Sequence, residues 1–167
     1  EDDLSVEYTL DLLRRFELTT EQQQKLAAYC AAKGIIYLCT PWDPTSVRIL
    51  DSFGVKAFKV ASADLTNLPL QAAMAATGKP LILSTGMSRT AEIEAAVSFL
   101  DERNASFALL HCQSTYPAAF HNINLRFMER LREIHPLVGY SGHERGTAVT
   151  LAAVTLGACI VERHITL

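Results

Sequence analysis

The 167 residues suit one domain, and a hydrophobic content of 49% is ample for a buried core. A net charge of −3 gives no footprint for nucleic acid or an anionic membrane surface. No apolar run is long enough to cross a bilayer, and the acidic start EDDLSVEY is unlike a signal peptide. The four cysteines (Cys30, Cys39, Cys112, Cys159) form no CxxC pair, and three lie in or beside apolar strand-like runs. Buried free thiols are the expected reading there, which suits a reducing, cytoplasmic setting. The chain does not begin with Met and ends on ITL, just past a strand, so it is expected to be a segment of something longer.

In chain order, Val6–Phe16 is a predicted helix after Ser5. Thr20 with Gln23 forms a capping box for a helix over Glu21–Lys33, which Gly34 ends. Ile35–Cys39 is a predicted strand ending at Thr40. Asp43-Pro44 pairs an N-cap with Pro at the first helical position, and that helix closes at Gly54. Ala57–Val60 is the next strand, and Pro69–Thr77 a helix stopped by Gly78-Lys79-Pro80. Leu81–Leu83 is a strand, Thr90–Glu102 a helix, Phe107–Leu110 a strand and Asn124–Ile134 a helix. The strand Leu137–Tyr140 follows, then a helix from about Arg145 to the breaker Gly157, then a last strand at Cys159-Ile160-Val161. Six short, almost wholly apolar strands alternate with helices, which reads as a parallel α/β fold with strands buried on both faces. Periodicity leaves barrel and open sheet undecided; a barrel needs eight strands.

The chemistry sits where the strands end: Thr40, Lys59 to Ser62, Ser84-Thr85-Gly86, His111 to Ser114, Ser141 to His143, and Glu162 to His164. Any one hydroxyl there can be an ordinary turn or cap residue. In succession they make one rim of hydroxyls with a lysine and two histidines, suited to a small, highly polar anion. Lys59 interrupts Phe58-Lys59-Val60, and a lone ammonium is costly in such a strand without an anionic partner. It either points outward to a helix-side carboxylate or pairs with a ligand's phosphate or carboxylate, with Ser62, Ser84 and Ser141 adding hydrogen bonds. If the last two strands are parallel neighbours, His143 and His164 emerge side by side at the C-terminal edge, where active sites of parallel α/β folds lie. They are either satisfied core or cap histidines or two ligands of an open metal site. Imidazole with oxygen ligands admits Mn, Fe, Co or Zn more readily than Ca. Glu162 would position a water, shuttle a proton or pair with a neighbouring cation. His121 and His135 receive no role.

FKVASADLTNLPL, KPLILSTGMS, LLHCQSTYPA, VGYSGHERG and LGACIVERHITL resemble the successive strand-end motifs of the sialic acid synthase family, in that family's order, from about Phe16 to Leu167. The resemblance implies a TIM-type (β/α)8 barrel, of which residues 1–167 would supply the third to eighth strands. The first two strands and a C-terminal antifreeze-like domain would be absent. It implies condensation of phosphoenolpyruvate with an N-acylated aldose such as N-acetylmannosamine to a nine-carbon 2-keto acid, with release of phosphate. A legionaminic or pseudaminic acid synthase, or another phosphoenolpyruvate-condensing barrel, is the alternative; one of a different class is an inactive anion-binding fragment. Carried over by motif, Thr40, Lys59, Ser62, Ser84, Ser114 and Ser141 would surround phosphoenolpyruvate. His143 and His164 would hold a divalent metal, Mn or Mg, and Tyr116 would face the sugar. Lys59 and Glu162 are the candidate catalytic residues, Glu162 being the weaker carry-over. Ser114 stands where some members have Asn, and Gly142 where some have Asp. The segment alone is expected to be inactive, lacking groups from the first strands and from beyond Leu167, and the intact protein is expected to be a cytoplasmic homodimer.

Overall fold

The computed structural model describes residue 11 and residues 14–165, which fall into two compact units divided between Tyr37 and Leu38. In the first unit, helix α1 spans Thr20–Ala32 and none of its residues is buried. Its capping box is one residue earlier than predicted. Thr19, in extended conformation, accepts from the Gln22 amide while the Gln22 side chain accepts from the Thr19 amide. Most of the predicted Val6–Phe16 helix lies outside the described residues.

The second unit alternates helix and strand: α2 (Pro44–Ser52), β1 (Phe58–Val60), α3 (Leu68–Ala75), β2 (Leu81–Ser84), α4 (Thr90–Asp101), β3 (Phe107–Cys112), α5 (Phe127–Ile134), β4 (Val138–Gly142), α6 (Ala148–Thr155) and β5 (Val161–Arg163). Asp43 caps α2 through the Thr45 and Ser46 amides, with Pro44 in the first turn as predicted. The predicted breakers Gly34, Gly54, Gly78 and Gly157 all have positive φ, 70° to 85°. In α4, Ile93, Ala96, Val97 and Leu100 are buried, the i, i+3, i+4, i+7 stripe of a helix packed on a sheet.

All neighbouring strands are parallel, in the order β1-β2-β3-β4-β5. Sequential order distinguishes a barrel wall from a doubly wound sheet, whose order reverses at a switch point. With right-handed crossovers, sequential order also puts every connecting helix on one face. The ladder assigns Phe58, Val60, Leu81, Leu83, Leu109, Val138 and Tyr140 to that helix-covered face, and all are buried. The opposite, inner face carries Lys59, Ser84, Cys112, Ser141 and Glu162 towards the C-terminal strand ends.

The ladder has five strands where the sequence predicts six. Residues 35–39 form no strand, and Ile35 and Ile36 are 63% and 66% exposed. The run is apolar enough to be a buried strand, but a strand exists only through its neighbours' hydrogen bonds, which composition does not report. The last strand also shifts, from the predicted Cys159–Val161 to Val161–Arg163. Of the three cysteines expected to be buried, only Cys112 is; Cys39 is half-buried and Cys159 exposed, and all four cysteines are free thiols. No helix among the described residues is long and apolar enough to cross a membrane.

Candidate active site

The C-terminal strand ends open into a cleft of about 480 Å³. The ten residues assigned a role from the sequence all line it: Thr40, Lys59, Ser62, Ser84, Ser114, Tyr116, Ser141, His143, Glu162 and His164. Trp42 and Met87, which the sequence reading passed over, complete the wall as large exposed side chains.

Lys59 points to the inner face, not outward to a helix. Its ammonium donates to the Val60 carbonyl (2.7 Å) and to Ser84 Oγ (2.8 Å), and lies 3.8 Å from Glu162 Oε2. The Lys59 side chain is only 12% exposed, against 41% for Glu162. Burial pushes the ammonium below the usual lysine value of 10.5, while Glu162 and Cys112 pull the other way. Ser141 Oγ donates to Glu162 Oε1 at 2.6 Å, the two being ladder partners across β4 and β5. The carboxylate is thereby fixed between a hydroxyl and a partly desolvated ammonium.

The neighbouring loops add hydroxyls at closest approach. Ser62 opens a short 3-10 turn directly after β1. Gly86, after β2, has no room for a side chain: a Cβ there would lie 2.2 Å from Ser114 Oγ and 2.8 Å from Ser62 Oγ. Glycine lets the two serines close over that backbone. Ser114 Oγ is buried yet has no hydrogen-bond partner in the protein. A buried hydroxyl left so costs free energy that a ligand oxygen would recover.

At the other end of the cleft, Tyr116 lies between the two histidines. His143 Nδ1 is 2.7 Å from the Gln113 carbonyl, which can only accept, so the proton is on Nδ1. In the neutral ring Nε2 then carries the lone pair and accepts from the Tyr116 hydroxyl at 2.8 Å; the phenol oxygen in turn accepts from His164 Nε2–H at 3.2 Å. The imidazole centroids are 5.2 Å apart. Burial lowers the His143 pKa most and His164 lowers it further, against the opposing effect of the Gln113 bond; the neutral form is favoured. Burial also raises the Tyr116 hydroxyl above its usual 10.0.

Two imidazoles converging on one oxygen, with His143 oriented by a backbone carbonyl, have the geometry of a ligand pair and its supporting shell. Among the described residues no group of three or more His, Cys, Asp or Glu could hold a metal. Two imidazoles fill only part of an ion's shell, and positions left open beside them would suit a Lewis acid.

The sequence reading missed the groups behind the site. Glu144 is 3% exposed; its carboxylate receives the Tyr140 hydroxyl (2.6 Å) and the Arg163 guanidinium, which also donates to the Glu144 carbonyl (2.6 Å) and the Gly146 carbonyl (3.0 Å). The charge pattern Glu144…Arg163 was the only available signal, and the spacing of 19 residues hides it. His111, the remaining strand-end histidine, faces the helix side, donates from Nε2 to the Ile123 carbonyl and packs near Phe127 and Tyr140; it is a core residue. His135 stacks on Phe107.

The N,N'-diacetyllegionaminic acid synthase of Campylobacter jejuni is 41% identical over 165 residues, covering 96% of this chain and 49% of that protein. The human N-acetylneuraminate-9-phosphate synthase is 35% identical over 156 residues, covering 92% of this chain and 44% of its own length. The crystal structure of the sialic acid synthetase of Leptospira borgpetersenii superposes with a TM-score of 0.94 at 34% identity, over 97% of this chain and 57% of that one. The chain thus spans about half the length of the curated relatives it matches. The sequence profile of the NeuB family matches residues 1–167, and the chain belongs to that family.

Proposed function

We propose that the protein condenses phosphoenolpyruvate with an N-acylated aldose, giving a nonulosonic acid and phosphate, and that this chain provides the anion- and metal-binding part of the site. The observation that carries the reading is the cleft itself. A desolvated lysine, a ring of serine hydroxyls with one unpaired donor, and two converging imidazoles line a single cavity.

In this reading Lys59, Ser62, Ser84, Ser114 and Ser141, with Thr40, hold the phosphate and carboxylate of phosphoenolpyruvate by charge-assisted hydrogen bonds. His143 and His164 hold Mn or Mg, which when bound polarises the aldehyde of the open-chain sugar. Tyr116, beside both imidazoles, faces the sugar oxygens. Phosphoenolpyruvate C3 forms the new bond to the aldehyde carbon as its double bond to C2 opens, and the aldehyde oxygen takes a proton from solvent water. Water adds at C2, giving one proton to Glu162, and the tetrahedral carbon expels phosphate as its hydroxyl passes the second proton to the departing phosphate, leaving the C2 ketone. The Lys59 ammonium, 3.8 Å from Glu162 Oε2, and the Ser141 hydroxyl hold that carboxylate in place to accept the proton. Positioning and fixed charge supply most of the acceleration, since the cleft's groups are already held by the fold. A cytoplasmic setting accords with a substrate that is a phosphorylated metabolite.

The test is phosphate release from phosphoenolpyruvate by the full-length protein with Mn. It uses a panel of N-acylated mannosamines and bacillosamine-derived sugars, beside His143→Ala and Lys59→Ala. Release that depends on one sugar and is lost in both variants is expected. Release independent of every sugar, or surviving both substitutions, overturns the assignment.

A further inference from the structure

The last ladder pair between β4 and β5 is Gly142 with Arg163. His143 and His164 are the next residue on each strand, just beyond the point where ladder bonds stop holding the backbone. His143 has other restraints: its ring binds the Gln113 carbonyl and its own carbonyl accepts from the Ala118 amide at 3.1 Å. His164 is exposed, and its ring hydrogen bond goes to Tyr116.

On the opposite side of the sheet, Arg163 reaches under Gly142 to the Glu144 carboxylate and two carbonyls of the loop, while Tyr140 holds the other carboxylate oxygen. Gly142 is shaped by this crossing: a Cβ there would lie 2.3 Å from Arg163 Nη1 and 2.8 Å from Glu144 Oε2. The Glu144 side chain is 0% exposed, so the pair is desolvated on that side and fully satisfied. Each partner is adjacent in sequence to one histidine. The network is a staple across the two strand ends that carry the imidazoles.

We propose that Glu144 and Arg163 are positioning residues whose ion pair sets the separation and aim of His143 and His164, and through them the affinity of the site for its divalent metal. This rests on the metal-dependent reading above. The planar guanidinium reaches one carboxylate and two carbonyls from two nitrogens held apart in a rigid fork, a spread that the single nitrogen of lysine does not match.

The experiment is Mn(II) titration of the full-length protein by electron paramagnetic resonance, well below each variant's unfolding midpoint, with folding checked by circular dichroism. Arg163→Lys and Glu144→Gln are expected to fold and to bind Mn about 10–100-fold more weakly, the cost typical of losing a supporting partner of a ligand. The KM for phosphoenolpyruvate is expected to stay within about twofold, because the lysine and serine end of the cleft is untouched. Folded variants with wild-type Mn affinity overturn the staple while leaving the metal site standing. Wild-type protein that binds no Mn removable by His143→Ala overturns the metal reading, and this proposal with it. If neither variant folds, Tyr140→Phe, which deletes one hydrogen bond, carries the test: Mn binding weakened by about threefold or more supports the staple, and unchanged binding overturns it.

Discussion

Replacing Lys59 with Met separates what the ammonium does for the ligand from what it does for the fold. The swap preserves the length of the stem and removes the charge. On the folding side, the pKa of Lys59 is lowered because burial penalises its ammonium more than Glu162 stabilises it. A lysine whose folded pKa lies below its unfolded 10.5 weakens the fold while protonated, and the weakening is relieved as pH rises through the folded pKa towards 10.5. Methionine relieves it at every pH. Against that, the Val60 carbonyl and Ser84 Oγ each lose a donor, at about 0.5–1.5 kcal/mol apiece. The two effects oppose each other, so the unfolding free energy is expected to fall by less than the ~1–3 kcal/mol that the two lost hydrogen bonds alone would cost.

On the binding side nothing offsets the loss. A hydrogen bond to a charged group is worth about 1.5–3 kcal/mol, so kcat/KM for phosphoenolpyruvate is expected to fall by about 10- to 150-fold. Unbalanced charge on Glu162, now facing the ligand's anionic groups without the ammonium 3.8 Å away, pushes the loss to the upper end. The assay pairs steady-state phosphate release with thermal unfolding of the same preparation. A variant that keeps kcat/KM within about threefold of wild type while folding normally refutes the placement of the ammonium against the ligand. A variant that loses activity only because it unfolds refutes the stability half.

Ser114→Ala is expected to leave the unfolding midpoint unchanged or slightly raised, because Ser114 Oγ has no protein partner to lose. It should raise the KM for phosphoenolpyruvate by about tenfold or more, the worth of one hydrogen bond to a charged group; a lowered midpoint with unchanged KM would contradict this. His111→Gln tests the core histidine. Burial holds its pKa below 6.5, so the unfolded chain binds more protons than the folded one as pH falls below about 6.5, and stability drops there. Glutamine cannot titrate, so between pH 7.5 and 5.5 the wild-type midpoint should fall more steeply than the variant's; parallel curves would contradict the assignment.

The alternation of apolar runs with capped helices made the parallel α/β class legible, and the polar residue after each run marked the cleft. Both signals depend on local chemistry that the chain writes directly: Asp43-Pro44 at a helix start, Gly54 and Gly157 at helix ends, Ser84 and Ser141 at strand ends. The errors at the strand ends share one physical cause. Predicted strands stopped at the last apolar residue, whereas β2, β3, β4 and β5 run on through Ser84, Cys112, Gly142 and Arg163. Ladder bonds satisfy the backbone whatever the side chain is, so a strand with a site on its inner face continues into polar residues. The opposite error, at residues 35–39, is an apolar run with no ladder partner.

Convergence is what no local pattern could show. Tyr116 lies 27 residues from His143 and 48 from His164, yet its hydroxyl touches both imidazoles. Arg163 and Glu144 read as two ordinary surface charges until the β4–β5 register places Gly142 opposite Arg163 and folds the guanidinium beneath it. The register also explains why Gly142 tolerates so little. An Asp there would point a carboxylate at the Glu144 carboxylate already engaged by Arg163, so Gly142→Asp in this chain has to rearrange the staple.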